Sequence, residues 1–273
     1  MENQELSEPI KNLINRVIEL FYYETKIKPI EFKIEFVKDI YTRKLELAVD
    51  DKEKNEIISA KEFSENLNGS VVLPAQNGDV PYILISLDTI ENPQRNCQFI
   101  STIIHELTHI HDFYDFYSFN KDKCNNIREI DKCIDFRPFQ LWTEYNARRK
   151  GYYFYRSIIN MDNDNSEKEQ IEYILDTECP FHMDYLKKQL IKSSNSPFNF
   201  VYNIIQFIGR FSVWNDLFSN HFNVNNFPNE LIVAFDNRII NLYEFLYKNK
   251  SFDDVKLNLN HLDNLLSKFV REQ

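Results

Sequence analysis

Apolar residues fall at helical spacing over 8–23, where Ile10, Leu13, Ile14, Val17, Ile18 and Phe21 share one face, and Lys28-Pro29 closes that helix. The next segment, 31–37, alternates strictly between polar and apolar positions and predicts a half-buried strand. Turn signals at Leu67-Asn68-Gly69-Ser70 and Asn77-Gly78-Asp79 bracket two short strands, one at 71–73 and one at 82–87. Helical spacing returns with Ile100, Ile103, Leu107, Ile110 and Tyr114, predicting a helix over 96–114. A polar insert at 118–133 reads as a loop over a cleft, and a second long helix runs from 139 to about 159. Beyond a polar run at 160–166 the pattern is helical throughout, near 166–191, 199–218, 228–247 and 252–270. The predicted fold class is α+β and mostly helical. A domain with a small sheet covers 1–160, and a helical C-terminal region covers 161–273, completing the cleft or binding a partner.

Composition narrows the chemistry. The 273 residues include 23 Phe and 15 Tyr and are 43% hydrophobic, enough for a substantial core. Only 4 glycines are present, which excludes a Gly-rich phosphate loop. A net charge of −10 argues against nucleic acid or an anionic membrane as a partner. The first 25 residues lack both a basic start and a continuous apolar core, so no signal peptide is read, and no apolar run is long enough to span a bilayer. The four cysteines, Cys97, Cys124, Cys133 and Cys179, show no CxxC spacing, so free thiols in the cytoplasm are expected. A Cys124–Cys133 bridge is expected only of an exported protein. The charged run at 50–56 reads as a solvated turn or helix face.

One stretch carries chemistry. His105-Glu106-Leu107-Thr108-His109 is an HExxH pattern inside the 96–114 helix, so the two imidazoles project from one face a turn apart and can grip one metal ion. Glu106 is rotated by about 100° from His105, beside the metal rather than on it, the position of a general base. Zinc suits two imidazoles and a carboxylate, with a fourth position for water. Asp112, three residues after His109, is placed either to orient that ring through its other nitrogen or to sit exposed at a helix end, and His111 points toward the core.

Two carboxylates compete as third ligand. Glu144 has Ala147 and Gly151 on its helix face, small enough for a close helix approach; its alternative is an ion pair with Arg148 at i+4. Asp115 lies ten residues after the first histidine, but the position that would carry a turning glycine is Asp112, and a continuing helix points Asp115 away from the histidines. His182, His221 and His261 are scattered singly and read as packing or surface histidines. Tyr145 and Tyr152 are the tyrosines considered for an oxyanion, with no spacing that selects either.

His105-Glu106-x-x-His109 followed by Glu144 in a second helix resembles the gluzincin type of zinc metallopeptidase, and more loosely the ImmA/IrrE-type peptidases, over roughly residues 80–155. The resemblance implies a zincin-like domain that hydrolyses a peptide bond in a protein or peptide substrate, with His105, His109 and Glu144 as zinc ligands and Glu106 as base. In such an enzyme the 82–87 strand would bind an extended substrate by strand addition. The alternative from another class is a catalytically silent binding protein on the same scaffold.

Overall fold

A computed structural model describes residues 6–61, 67–76, 78–92, 98–162 and 166–269, and of 159–162 the backbone only. The expected start of the 96–114 helix, Cys97, Asn77, part of the 160–166 polar run and residue 270 lie outside the described residues or side chains. The chain forms two compact units, one over Met1–Ile130 and one over Asp131–Gln273. The 160–166 run expected to separate domains falls inside the second of these.

The first unit begins with α1 (Glu8–Thr25), which buries Ile14, Val17 and Phe21 on the face that its spacing predicts. Lys26 ends it in the left-handed region at φ 56°. Three strands follow, β1 (Lys33–Val37), β2 (Gly69–Val72) and β3 (Tyr82–Ser86), in the order β1-β3-β2. β1 runs parallel to β3 and β2 antiparallel to it, with Gly69 opposite Ile85 and Val72 opposite Tyr82. Two helices cross from β1 to β2: α2 (Ile40–Leu47) and α3 (Asp51–Ser59), so the charged run at 50–56 is capped helix rather than a turn. After the short α4 (Asp88–Glu91) comes α5 (Gln98–Phe119), which carries the HExxH residues.

The pleat divides the unit into layers. On one face Val72, Leu84, Val37 and Tyr82 pack with Ile40 and Leu47 of α2, and the two-residue alternation turns Gly69, Ile83 and Ile85 the other way. α5 packs on β2 and β3, and α1 packs on α5. The expectation that the 82–87 strand receives substrate is corrected here: β3 is the central strand, paired on both sides, and the edge strand beside α5 is β2. The uninterrupted Ile83-Leu84-Ile85, each 0% exposed, is what a strand covered on both faces requires.

The insert at 118–133 is packed rather than a loose loop. Its first two residues complete α5, and a 3₁₀ helix spans Ile127–Lys132 with Ile127 and Ile130 buried. Arg128 pairs with Glu53 of α3 at 2.7 Å and donates to the carbonyls of Leu47, at 3.0 Å, and Leu73. The free-thiol expectation is corrected as well: Cys124 and Cys133 are disulfide-bonded, while Cys179 is free. No helix among the described residues is long and apolar enough to cross a membrane.

The second unit is helical. α6 (Phe136–Asp162) packs along α9 (Pro197–Leu217). Between them in sequence, α7 (Glu167–Tyr173) and α8 (Cys179–Lys192) are joined by a π-helical stretch, Ile174–Glu178. α10 (Asn229–Lys248) is kinked at Asp236, φ 47°, and the single helix expected over 252–270 is two, α11 (Phe252–Val255) and α12 (Leu259–Ser267). Phe207, Phe211, Trp214, Phe227 and Tyr243 form the aromatic core around α9. Gly209 allows its closest approach to α6: a Cβ there would lie 3.0 Å from Arg148 Cγ.

Asp216 ties this core together. It accepts from Arg149 Nη2 at 2.5 Å, Lys250 Nζ at 2.7 Å and the Tyr247 hydroxyl at 2.9 Å. Burial alone would raise its carboxyl, but Arg149 and Lys250 outweigh burial and hold it below the ordinary aspartate value. A carboxyl with a lowered folded pKa contributes stability that is complete above its unfolded value, about 3.9, and lost as pH falls through the folded value. Asp216→Asn should therefore lower the urea midpoint at pH 7, and the gap from wild type should close as pH is taken below about 4. An equal gap at both pH values would refute the account.

Candidate metal centre

α5 is apolar enough to be buried on every side, and its polar residues are buried with it. Between Ile103 and Asp112 no residue is more than 9% exposed, and that stretch includes His105, Glu106, His109, His111 and Asp112. The division into a ligand face and an opposite core face thus becomes a helix enclosed all round. His105 and His109, one turn apart, bring their Nε2 atoms to 3.0 Å with the rings nearly perpendicular at 85°. Two imidazole nitrogens at that distance must share a proton or a cation, since two lone pairs facing each other repel. Phe113 stacks on His109 with ring centroids 5.6 Å apart, which fixes the ring plane.

Glu106 is positioned by a missing side chain. Gly69 of β2 passes so close that a Cβ there would lie 2.8 Å from Glu106 Oε1, 2.9 Å from its Cγ and 2.6 Å from Thr102 Cγ2. Glycine is required for that approach. Lys44 of α2 is also part of this environment: burial lowers its ammonium, and the charge of Glu106 opposes that shift. Neither Gly69 nor Lys44 was selected by sequence reasoning. The Gly69 signal was present, since a glycine starting a strand marks close backbone approach, but the partner lies 37 positions away.

His111 contacts Tyr22 Oη at 3.3 Å and packs on Phe21 and Tyr22, so its expected core role is met. Asp112 is 4% exposed, which removes the possibility of a solvated helix end.

Glu144 lies in the middle of α6 and is half-buried. It accepts from Gln206 Nε2 of α9 at 2.9 Å, and Gln206 Oε1 accepts in turn from Arg148 Nε. The amide has only this orientation available, because a carboxylate needs a donor and a guanidinium an acceptor. The i+4 relation of Glu144 to Arg148 is thus bridged by Gln206. Sequence reasoning missed Gln206, which is 62 residues from Glu144. Tyr145 and Tyr152 are corrected as oxyanion candidates. The Tyr145 hydroxyl donates to Ser212 Oγ at 3.1 Å, and the Tyr152 hydroxyl accepts from Trp214 Nε1 at 3.0 Å, inside the helical core. Burial raises both phenols above their ordinary value. His182 and His261 pack on aromatic rings, as expected.

Among the described residues, His105, His109 and Glu144 are a group that could hold a metal ion. Asp115 is exposed and is not part of this group. The donor set of two imidazole nitrogens and one carboxylate oxygen fits a divalent transition metal. No family model, curated protein or solved structure matches the chain.

The Gly69 contact generates a test independent of any ligand. Gly69→Ala should destabilise the fold by about 1–3 kcal/mol by overpacking. Part of that loss should be recovered in the Glu106→Ala background, where the carboxylate is gone. A double-mutant cycle from urea unfolding reads the coupling, and strict additivity would show that Gly69 does not constrain Glu106.

Proposed function

We propose that the chain is a zincin-type metallopeptidase, with zinc held by His105, His109 and Glu144 and a peptide bond in a protein substrate hydrolysed by water. The observation that carries this reading is the His105–His109 pair, with Nε2 atoms 3.0 Å apart, beside the buried carboxylate of Glu106, with Glu144 as a third donor that could hold the same ion. When bound, zinc supplies Lewis acidity toward a carbonyl and lowers the pKa of a water to about 7.

The chain's own residues account for the remaining chemistry. Glu106, adjacent to a ligand and held in place by the Gly69 backbone, takes a proton from the attacking water at a carboxylate oxygen and delivers it to the leaving amine. The charge of Glu106 raises the buried Lys44 ammonium against the burial that lowers it, so a cation lies in the field of the base. Asp112, buried in the next turn, orients His109. β2 contributes the sheet edge beside α5, where an extended peptide would add as a further strand. In this reading Gln206 holds Glu144 in its ligating rotamer.

A second reading is a binding protein on a silent scaffold, and the burial that protects the centre favours it: His105, Glu106 and His109 are 9%, 5% and 6% exposed, leaving little room for a substrate carbonyl. As for compartment, we place the protein in an oxidising one rather than the cytoplasm suggested by cysteine spacing, because Cys124 and Cys133 are disulfide-bonded.

Elemental analysis of the purified protein should find about one zinc per chain, lost in His105→Ala and in Glu144→Ala and retained in Glu106→Gln. Cleavage of unfolded casein should fall in Glu106→Gln by about 10²–10⁴-fold. Zinc in the wild type without any Glu106-dependent cleavage would transfer the assignment to the binding protein, and wild type that takes up no metal would end the peptidase reading.

A further inference from the structure

The helical unit contains a cavity that the metal centre does not explain. It measures about 80 Å³ and lies where α8 and α9 meet Arg148 of α6. Whole small-molecule ligands fill some 300 Å³ or more, so this space suits one small group, such as the end of a larger molecule. Tyr185 on its wall is 50% exposed, which leaves the cavity a way to solvent.

The charge around the cavity is one-sided. Arg148 and Arg210 both line it, and no carboxylate does. Each guanidinium has a neutral acceptor, and both belong to Gln206: Arg148 Nε donates to its side-chain oxygen, and Arg210 Nη1 to its backbone carbonyl at 3.1 Å. Burial pushes the Arg210 guanidinium down and the charge of Arg148 pushes it further; it nonetheless stays protonated at neutral pH. His182, on the same wall, is held down to about 3 by burial and then by Arg210 and Arg148, so its imidazole is neutral there. Two like charges in a partly desolvated pocket are costly unless a counter-charge arrives. Elsewhere in this unit the same residue type is neutralised: Arg149 has Asp216 and Arg156 has Glu178.

We propose that this cavity binds a small oxyanion group, a carboxylate or a phosphate, between the Arg148 and Arg210 guanidinium groups, with Tyr202 and Asn203 as further polar contacts on the wall. Planar guanidinium forks match both anions. Gln206 links Arg148 to Glu144, so an anion here acts at one remove on that carboxylate. The site itself does not depend on the peptidase reading.

The test uses the full chain, titrated with sodium phosphate and separately with sodium acetate against sodium chloride at matched ionic strength. Calorimetry should show saturable binding of at least one anion at millimolar concentration, and binding should weaken at least tenfold in Arg210→Met and in Arg148→Met. A response to phosphate alone assigns a phosphoryl group, and a response to acetate alone assigns a carboxylate. In chloride, Arg210→Met should melt no lower than wild type, since it removes an unopposed charge. The wild type also reports directly, because the His182 imidazole NMR signals should shift along the same saturation curve. The proposal is overturned if neither anion binds saturably by tens of millimolar, if both variants bind as wild type does, or if His182 does not respond.

Discussion

A helix buried on all sides that carries ionisable groups at five of eight consecutive positions, from His105 to Asp112, is the constraint on which the first unit depends. Removing such groups from water costs several kcal/mol each unless partners replace the lost hydration. The apolar part of the helix, Ile103, Ile104, Leu107 and Ile110, drives the burial. The polar part makes that burial tolerable only in one arrangement. Each neighbour of α5 can be understood as a response: α1 brings Tyr22 and Phe21 to His111, α2 brings the Lys44 charge to Glu106, and β2 brings a residue with no side chain at all.

Gly69 and Lys44 act on the same carboxylate by different means. The glycine limits where Glu106 can be, through contacts that no other residue type leaves room for, and the lysine sets a positive charge in its field. A group intended only to pack would need neither. The His105–His109 pair makes the same point in another way. Nε2 atoms 3.0 Å apart inside a protein are stable with something positive between them, and the helix geometry that imposes this distance is fixed by four residues of sequence separation.

That separation is why the centre was legible in the sequence and its surroundings were not. Spacing at i and i+4 survives any tertiary arrangement, so His105 and His109 could be paired from the string alone, and a second helix could be searched for a carboxylate with small neighbours. Ala147, one of those neighbours, is fully buried, yet the close approach recorded at this stretch of α6 is that of Gly209 in α9. Strand periodicity identified which residues share a face, but alternation carries no information on strand order, so β3 was read as an edge although its unbroken apolar run already argued for the centre. Tyr145 and Tyr152 looked available because aromatic hydroxyls in a helix give no sign of which way they face. Gln206, 62 residues from Glu144, had no local signal of any kind.

The helical unit shows how differently one fold can treat similar charges. Arg149 reaches Asp216, which also gathers Lys250 and Tyr247, so the cationic groups there are answered inside the protein. Arg148, the next residue back along α6, is turned one position around the helix and meets only the neutral amide of Gln206, with Arg210 for company. Mutual ion pairing accounts for the first arrangement. It does not explain the second, since a glutamate at 206 would put a counter-charge on Arg148 where the amide puts none. The constraint against that residue is Glu144, whose carboxylate accepts from the Gln206 amide and would be repelled by another carboxylate. The unopposed charge around the cavity is therefore a consequence of supplying Glu144 with a donor.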